Sequence, residues 1–403
     1  MARSSTKQYF VGLSKNTFLL AVASLFTDIS TEMLYPVLPV FMTQTLKATG
    51  SIVGLVDGFA QATQSIMQGF SGTLSDKLNR RKPIALAGYL VAAGAKPLMG
   101  LCTVWQGLFA ARLMDRLGTG TRSAPRDALI ASSVDEKDRG RAFGMEGLGD
   151  NAGAFLGPLL TLFLLSVLHI AMRPIFYLAF IPGALAFFMV LLVKEKPTPV
   201  ASESKIEVNL QQFPKNYWKY LLVTAVFGLG NSSNAFLILR TQESGASLKT
   251  TILIYAAFNL VAALVSYPAG SLSDTWSRKN VLLVSFVIFV VVYLGFALTT
   301  KIVLLGALFI FYGLYQGIFR AVGKAFASDV ISNHLRASGI GWYSATVGVS
   351  QLVASVIAGQ FWDRIGHAAV FYYGTALATI GSLGLFLLVP LKHERRNRNG
   401  RVD

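Results

Sequence analysis

Residues Gly72–Lys82, GTLSDKLNRRK, decide how this chain is read. The stretch reads as a short turn caught between two long apolar runs. Gly72 lets helices pack closely. Asp76 falls at a helix end, where a carboxylate can hold amides or cations. Arg80, Arg81 and Lys82 set a dense positive cluster beside apolar sequence. The stretch then recurs as Gly270–Lys279, GSLSDTWSRK, with Gly72 and Gly270, Asp76 and Asp274, and Arg80 and Arg278 each 198 positions apart. A motif copied across half the chain implies two structural halves related by duplication.

The composition sets the solvent. Hydrophobic residues make up 53% of the 403 and charged residues 14%, against about 25% charged in soluble domains. Apolar spans are expected at 16–43, 51–73, 83–103, 105–132, 141–166, 172–193, 217–238, 250–272, 280–299, 302–328, 337–361 and 367–390. They divide the chain into an N-terminal six-helix unit (1–193), a polar linker (194–216) and a C-terminal six-helix unit (217–403). A single cysteine, Cys102, excludes an intramolecular disulfide. The histidines fall at span ends or tails, so no metal or other cofactor is expected. The first apolar run holds two acids and lacks a small-residue cleavage site, so a cleaved signal is not expected.

Charge bias orients the spans. With the N-terminus inside, the cytoplasmic segments hold 23 Lys or Arg and the external loops six: Lys47, Arg173, Arg240, Lys249, Lys301 and Arg364. That bias puts both termini on the cytoplasmic side, and a bacterial inner-membrane location is the expectation. The basic tail then faces lipid headgroups, not nucleic acid. The remaining bases, Lys96, Arg112, Arg116, Arg122, Arg126, Arg320 and Lys324, lie within spans, with Asp28, Glu32, Asp57, Asp115, Asp127 and Asp150. Each such charge costs about 2.5–3.5 kcal/mol at a bilayer centre. They must line an aqueous cavity or pair inside the bundle.

The repeated Gly-x-Leu-x-Asp-x-x-x-Arg-Arg/Lys turn resembles the signature of the major facilitator superfamily, between its second and third and its eighth and ninth membrane helices. The family's Gly before the basic pair is here Asn79, and Ser277 in the copy. The resemblance covers the whole chain. It implies an all-α membrane fold of twelve helices in two pseudo-symmetric six-helix bundles, transport by alternating access, and a monomer. It also implies that Asp76, Arg80 and Arg81, with Asp274 and Arg278, latch the bundles when the cavity faces out.

Span 1 carries Thr27, Asp28, Thr31, Glu32 and Tyr35 on one helical stripe, followed by Pro36 and Pro39, which should kink its outer end. Asp28 or Glu32 is the expected proton-coupling group, because a partly dry cavity favours a protonated carboxylate; a structural pair with a neighbouring base is the alternative. Span 4 carries Arg112, Asp115, Arg116, Thr119, Arg122 and Arg126 as a cationic stripe. Arg112, Gly118 and Gly120 match the family's Arg-x-x-Gln-Gly-x-Gly motif, with Asp115 and Arg116 in place of Gln and Gly. In span 10, Arg320 and Lys324 stand 198 positions after Arg122 and Arg126 and share a stripe with Tyr312 and Gln316. In the family, helices 4 and 10 border the central cavity. Two facing cationic ladders would favour an anionic substrate held by guanidinium forks. The alternative is that these bases pair with Asp115, Asp127 and Asp150, or gate the mouth. In span 5, Gly144, Gly153, Gly157 and Pro158 match the spacing of the family's antiport-associated motif, whose trailing Gly-Gly is here Thr161 and Leu162, and Gly149, Gly153 and Gly157 form a small-residue packing face. Asn231 and Asn234 suit hydrogen bonding to a substrate.

The expectation is therefore a proton-coupled secondary transporter, not an enzyme, for a small organic solute with carboxylate or phosphate groups. A polycarboxylate metabolite or a carboxylate siderophore would fit. The alternatives are an exporter of lipophilic cationic drugs, a divalent-metal exporter using Asp28, Glu32 and Asp57, and a non-transporting receptor or scaffold.

Overall fold

The structure, a computed structural model, describes residues 14–78, 80–135, 138–195, 213–331 and 336–390. The tails, Asn79, most of the linker and the side chains of Asp76 and Asp274 lie outside the described residues. Helices follow the apolar runs. We number them α1 (Lys15–Glu32), α2 (Gly50–Leu78), α3 (Arg81–Leu101), α4 (Trp105–Ser132), α5 (Arg139–Ser166) and α6 (Met172–Leu178 with Phe180–Leu191). The second half repeats the series as α7 (Lys215–Gly230 with Asn234–Glu243), α8 (Leu248–Trp276), α9 (Arg278–Leu298), α10 (Ile302–Asp329), α11 (Arg336–Arg364) and α12 (His367–Leu388).

Local chemistry explains the breaks. In α1, Ser14 caps the start by accepting from the Thr17 N–H at 3.1 Å. The helix stops at Glu32 ahead of Pro36, then resumes as a short turn, Leu38–Val40, and a π-turn, Phe41–Thr45; proline supplies no N–H for a continuous ladder. In α7 the run GLGNSSN contains poor helix formers. The helix opens between Gly230 and Asn234, and Ser233 caps the second piece through the Ala235 N–H. This break interrupts the apolar run expected at 217–238, which still reads as one span, Lys215–Glu243. The opening motif is corrected. Gly72–Leu78 is the last part of α2, and α3 starts at Arg81, so the turn is far shorter than the motif. In the copy, one residue separates α8 from α9. It is Ser277, at φ 105°, a region that favours glycine.

Packing shows the duplication. Within the first half α1 packs on α5 and α6, α2 on α4, and α3 on α4 and α6. Within the second half α7 packs on α11 and α12, α8 on α10, and α9 on α10 and α12. Every pair repeats six helices later. The halves meet through α2 on α11 and α5 on α8, which exchange under the same rule. Among the described residues nine of these helices are long and apolar enough to cross a membrane by composition; α1, α2 and α4 fall short. Those three carry most of the intramembrane charge, which must therefore be shielded inside the bundle.

Candidate functional site: the cavity between the bundles

The end bearing the α2–α3 and α8–α9 turns is the basic face, and the opposite end the far face. Among the described residues the two bundles meet from the far face to about mid-height, where Gly348 of α11 lies against Ser65 of α2. At the far face Asp363, at the end of α11, accepts from the Gly50 and Ser51 N–H groups, each at 2.8 Å. It caps the start of α2 from the other bundle, where the helix dipole favours a negative charge. The Ser51 hydroxyl donates to the Gly359 carbonyl at 3.1 Å. On the α5–α8 seam, Asn259 donates to the Ala154 carbonyl at 3.0 Å. The same helix faces separate toward the basic face. Gly341 lies on the face of α11 that carries Gly359, five turns away at about 100° per residue. A Cβ at Gly359 would meet Gly50 and Ser51, whereas among the described residues nothing lies within 4 Å of one at Gly341. Gly270 on the Asn259 face of α8 and Gly147 on the Ala154 face of α5 are equally open. Among the described residues the space between the bundles is thus closed at the far face and open toward the basic face.

The closed half holds a buried ionic network. Asp115 accepts from Lys96 at 3.2 Å, Arg112 at 3.2 Å and Arg116 at 2.6 Å. Arg112 also reaches Asp57 at 3.5 Å, and Arg116 donates to Gln64 at 2.9 Å. Asp57 accepts from Ser233 at the α7 break, across the bundle boundary, and from Tyr35 at 3.4 Å. All five ionic groups are buried. In the open half Arg126 is held by Asp127 at 2.9 Å, Glu146 at 2.8 Å and Asp150 at 3.8 Å, with Ser24 at 2.9 Å. This corrects the expectation of two facing cationic ladders: on α4, Arg112, Arg116 and Arg126 are neutralised within their own bundle.

Three bases of that expectation keep no carboxylate within 4 Å among the described residues. Arg122 is buried, lies 4.8 Å over the Tyr89 ring and leaves its Nε unpartnered. Arg320 and Lys324 are exposed on α10. On α1, Asp28 is half-buried with no hydrogen-bond or ion-pair partner among the described residues, and it feels the charges of Asp150, Arg122, Glu32 and Arg126. Glu32 accepts from Tyr255 of the other bundle at 2.9 Å and feels Arg320. Tyr35 stacks on Tyr255 at 5.5 Å.

The remaining candidates separate into groups. Tyr312 donates to Asn234 at 2.8 Å and to Asn231 at 3.4 Å, so these three brace the α7 break; Asn231 in turn donates to Tyr315 at 3.0 Å. Gln316 is half-buried one turn along α10. Gly153 and Gly157 bring α5 against α1: a Cβ would fall 2.6 Å from the Leu25 carbonyl and 2.9 Å from that of Ile29. Pro158 is buried beside them. At the basic face Arg80 is exposed, the Arg81 and Lys82 N–H groups donate to Glu195 at 2.7 and 3.2 Å, and Arg278 pairs with Asp329 at 3.0 Å. Sequence reasoning missed Glu146 and Gln64. Glu146 lies four residues before Asp150, on one face of α5, and that spacing was the available signal.

The profile described as Major Facilitator Superfamily matches residues 20–239 and again 220–403. An uncharacterized MFS-type transporter of Methanocaldococcus jannaschii is 36% identical over 383 residues, covering 93% of this chain and 95% of its own. The quinolone resistance protein NorA of Staphylococcus aureus is 22% identical over 400 residues, covering 95% and 98%. Among solved structures, the nucleoside transporter NupG superposes with a TM-score of 0.75 at 15% identity, covering 94% of this chain and 100% of its own. The D-xylose–proton symporter does so with 0.77 at 14%, covering 94% and 98%. Two profile matches in tandem, a well-covered relative and a shared twelve-helix architecture agree with the duplicated motif and the paired helix contacts. The chain belongs to the major facilitator superfamily and is a secondary transporter, not an enzyme.

Proposed function

We propose that this transporter moves a small organic solute bearing an acidic group, coupled to protons, by alternating access across the cytoplasmic membrane, as a monomer with both termini inside. The observation that carries the reading is the pair Arg320 and Lys324, exposed on a cavity open at the basic face with no carboxylate within 4 Å among the described residues. Uncompensated charge at membrane depth is costly, and an acidic ligand would supply the missing counter-charge. Positive residues favour the cytoplasmic side, so the basic face is inside and this conformation is inward-open. Tyr35, Asn231, Asn234, Tyr312 and Gln316 lie deeper and would contact the solute's uncharged part. Asp28 and Glu32 would take the proton. Glu32 accepts a hydrogen bond across the bundle boundary, so its protonation would alter a contact that closes the outer half. Asp76 with Arg80, and Asp274 with Arg278, would latch the opposite state. Gly153, Gly157 and Pro158 would let α5 and α1 move as one body. One proton crossing 100 mV supplies about 2.3 kcal/mol.

The test uses proteoliposomes with an imposed inward-acid pH gradient and a panel of labelled organic acids. Accumulation of an acid, lost at least tenfold in Arg320→Gln, is expected. Asp28→Asn or Glu32→Gln should abolish gradient-driven accumulation and spare exchange. Unchanged pH dependence in both would count against coupling there. A second reading, export of cationic drugs, is favoured by the similarity to NorA, whose name records quinolone resistance. A cation preference that survives Arg320→Gln would establish that reading instead.

A further inference from the structure

The two walls of the open half carry opposite charge. On the first-bundle wall, Asp28, Asp127, Glu146 and Asp150 outnumber Arg122 and Arg126, and three of the four acids already crowd Arg126. On the second-bundle wall stand Arg320 and Lys324, with no acid within 4 Å among the described residues. The Asp150 side chain is 38% exposed, and its Oδ1, 3.8 Å from Arg126, makes no hydrogen bond among the described residues. Asp28 lies within electrostatic reach of Asp150 and has no bonded partner of its own among the described residues. A purely anionic solute would satisfy the second wall and be repelled by the first. Like charges facing each other are penalised, and complementary ones fix orientation.

We infer that the solute is amphoteric: its acidic group engages Arg320 and Lys324 while a protonated amine faces Asp150. The acidic end of this inference rests on the function proposed above; the amine end does not. A dipolar ligand lying across the gap would lend each wall the charge it lacks and be oriented by both bundles at once.

Thermal unfolding of the purified full chain, titrated with two matched sets of probes, tests this. One set is para-aminomethylbenzoate, para-toluate and para-methylbenzylamine; the other is aminohexanoate, hexanoate and hexylamine. The amphoteric member of at least one set should stabilise the protein at about tenfold lower concentration than either of its analogues, the worth of one charged hydrogen bond. Asp150→Asn should remove the advantage over the acid. Arg320→Gln and Lys324→Gln should remove the advantage over the amine. If the acid alone binds as tightly as the amphoteric probe and Asp150→Asn changes nothing, the amphoteric inference falls and the acid reading stands. If the amine alone binds and Arg320→Gln leaves it unchanged, both fall. No stabilisation by any of the six probes also overturns the amphoteric inference.

Discussion

Helices α4 and α10 occupy equivalent places in the two bundles, and their basic residues coincide, Arg122 with Arg320 and Arg126 with Lys324 at one offset. Their surroundings do not. Around α4, acids arrive from α2 (Asp57), from α5 (Glu146 and Asp150) and from α4 itself (Asp115 and Asp127), and Arg112, Arg116 and Arg126 are tied down. Around α10 no acid comes within 4 Å of Arg320 or Lys324 among the described residues. Of the two inherited pairs, Arg126 is tied to acids whereas Lys324 is not, and Arg122 and Arg320 both keep no carboxylate within 4 Å among the described residues. A base inside a membrane protein acquires its role from what neighbouring helices place beside it.

Breaking the α4 network should produce the largest effect. Asp115→Asn strips Lys96, Arg112 and Arg116 of their shared carboxylate, and an uncompensated buried charge costs about 3–5 kcal/mol. Thermal unfolding in detergent should register a steep loss of stability. Arg320→Gln, on exposed α10, should change stability by no more than about 0.5 kcal/mol. Equal losses in the two variants would erase the distinction between the helices.

A smaller effect is expected at the far face, where the bundles meet. Asp363→Asn exchanges a charged cap on α2 for a neutral one, at a cost of about 1 kcal/mol. The sealed state alone would be weakened. A cysteine placed at Ser51, in a background with Cys102 replaced by serine, should then react faster with a membrane-impermeant reagent from the far side. An unchanged rate would show that this cap does not hold the seal.

An effect of similar size but opposite sign concerns the copied turn. Ser277 stands at φ 105° where the family carries glycine, so Ser277→Gly should stabilise the second bundle by roughly 1 kcal/mol. A loss of stability would mean that the serine side chain makes a contact worth more than the strain.

Much of the architecture was legible in the chain. The duplicated motif, the lengths of the apolar runs and the glycines of α5 carried the fold, because each reports a local or periodic requirement. The candidate site was legible only as an inventory of charges. Nothing in the spacing of α4 says that Lys96 of α3 and Asp57 of α2 will converge with Asp115, since those meetings depend on helix rotation and depth. The bonds from Ser233 to Asp57 and from Asp363 to Gly50 cross between bundles, 176 and 313 positions apart in sequence. Local breaks were half visible. Pro36 announced the interruption of α1, whereas the run GLGNSSN was read for its polar side chains and not for its weak helix propensity.

In the mechanism proposed above, the cations of α10 meet the solute and the paired cations of α4 hold the bundle. Binding of an organic acid should be measured by isothermal titration alongside melting temperature, in Arg320→Gln and in Arg112→Gln. We expect Arg320→Gln to weaken binding about tenfold at unchanged melting temperature, and Arg112→Gln to lower the melting temperature sharply. Weakened binding at unchanged melting temperature in Arg112→Gln, with Arg320→Gln binding as the parent does, would contradict it.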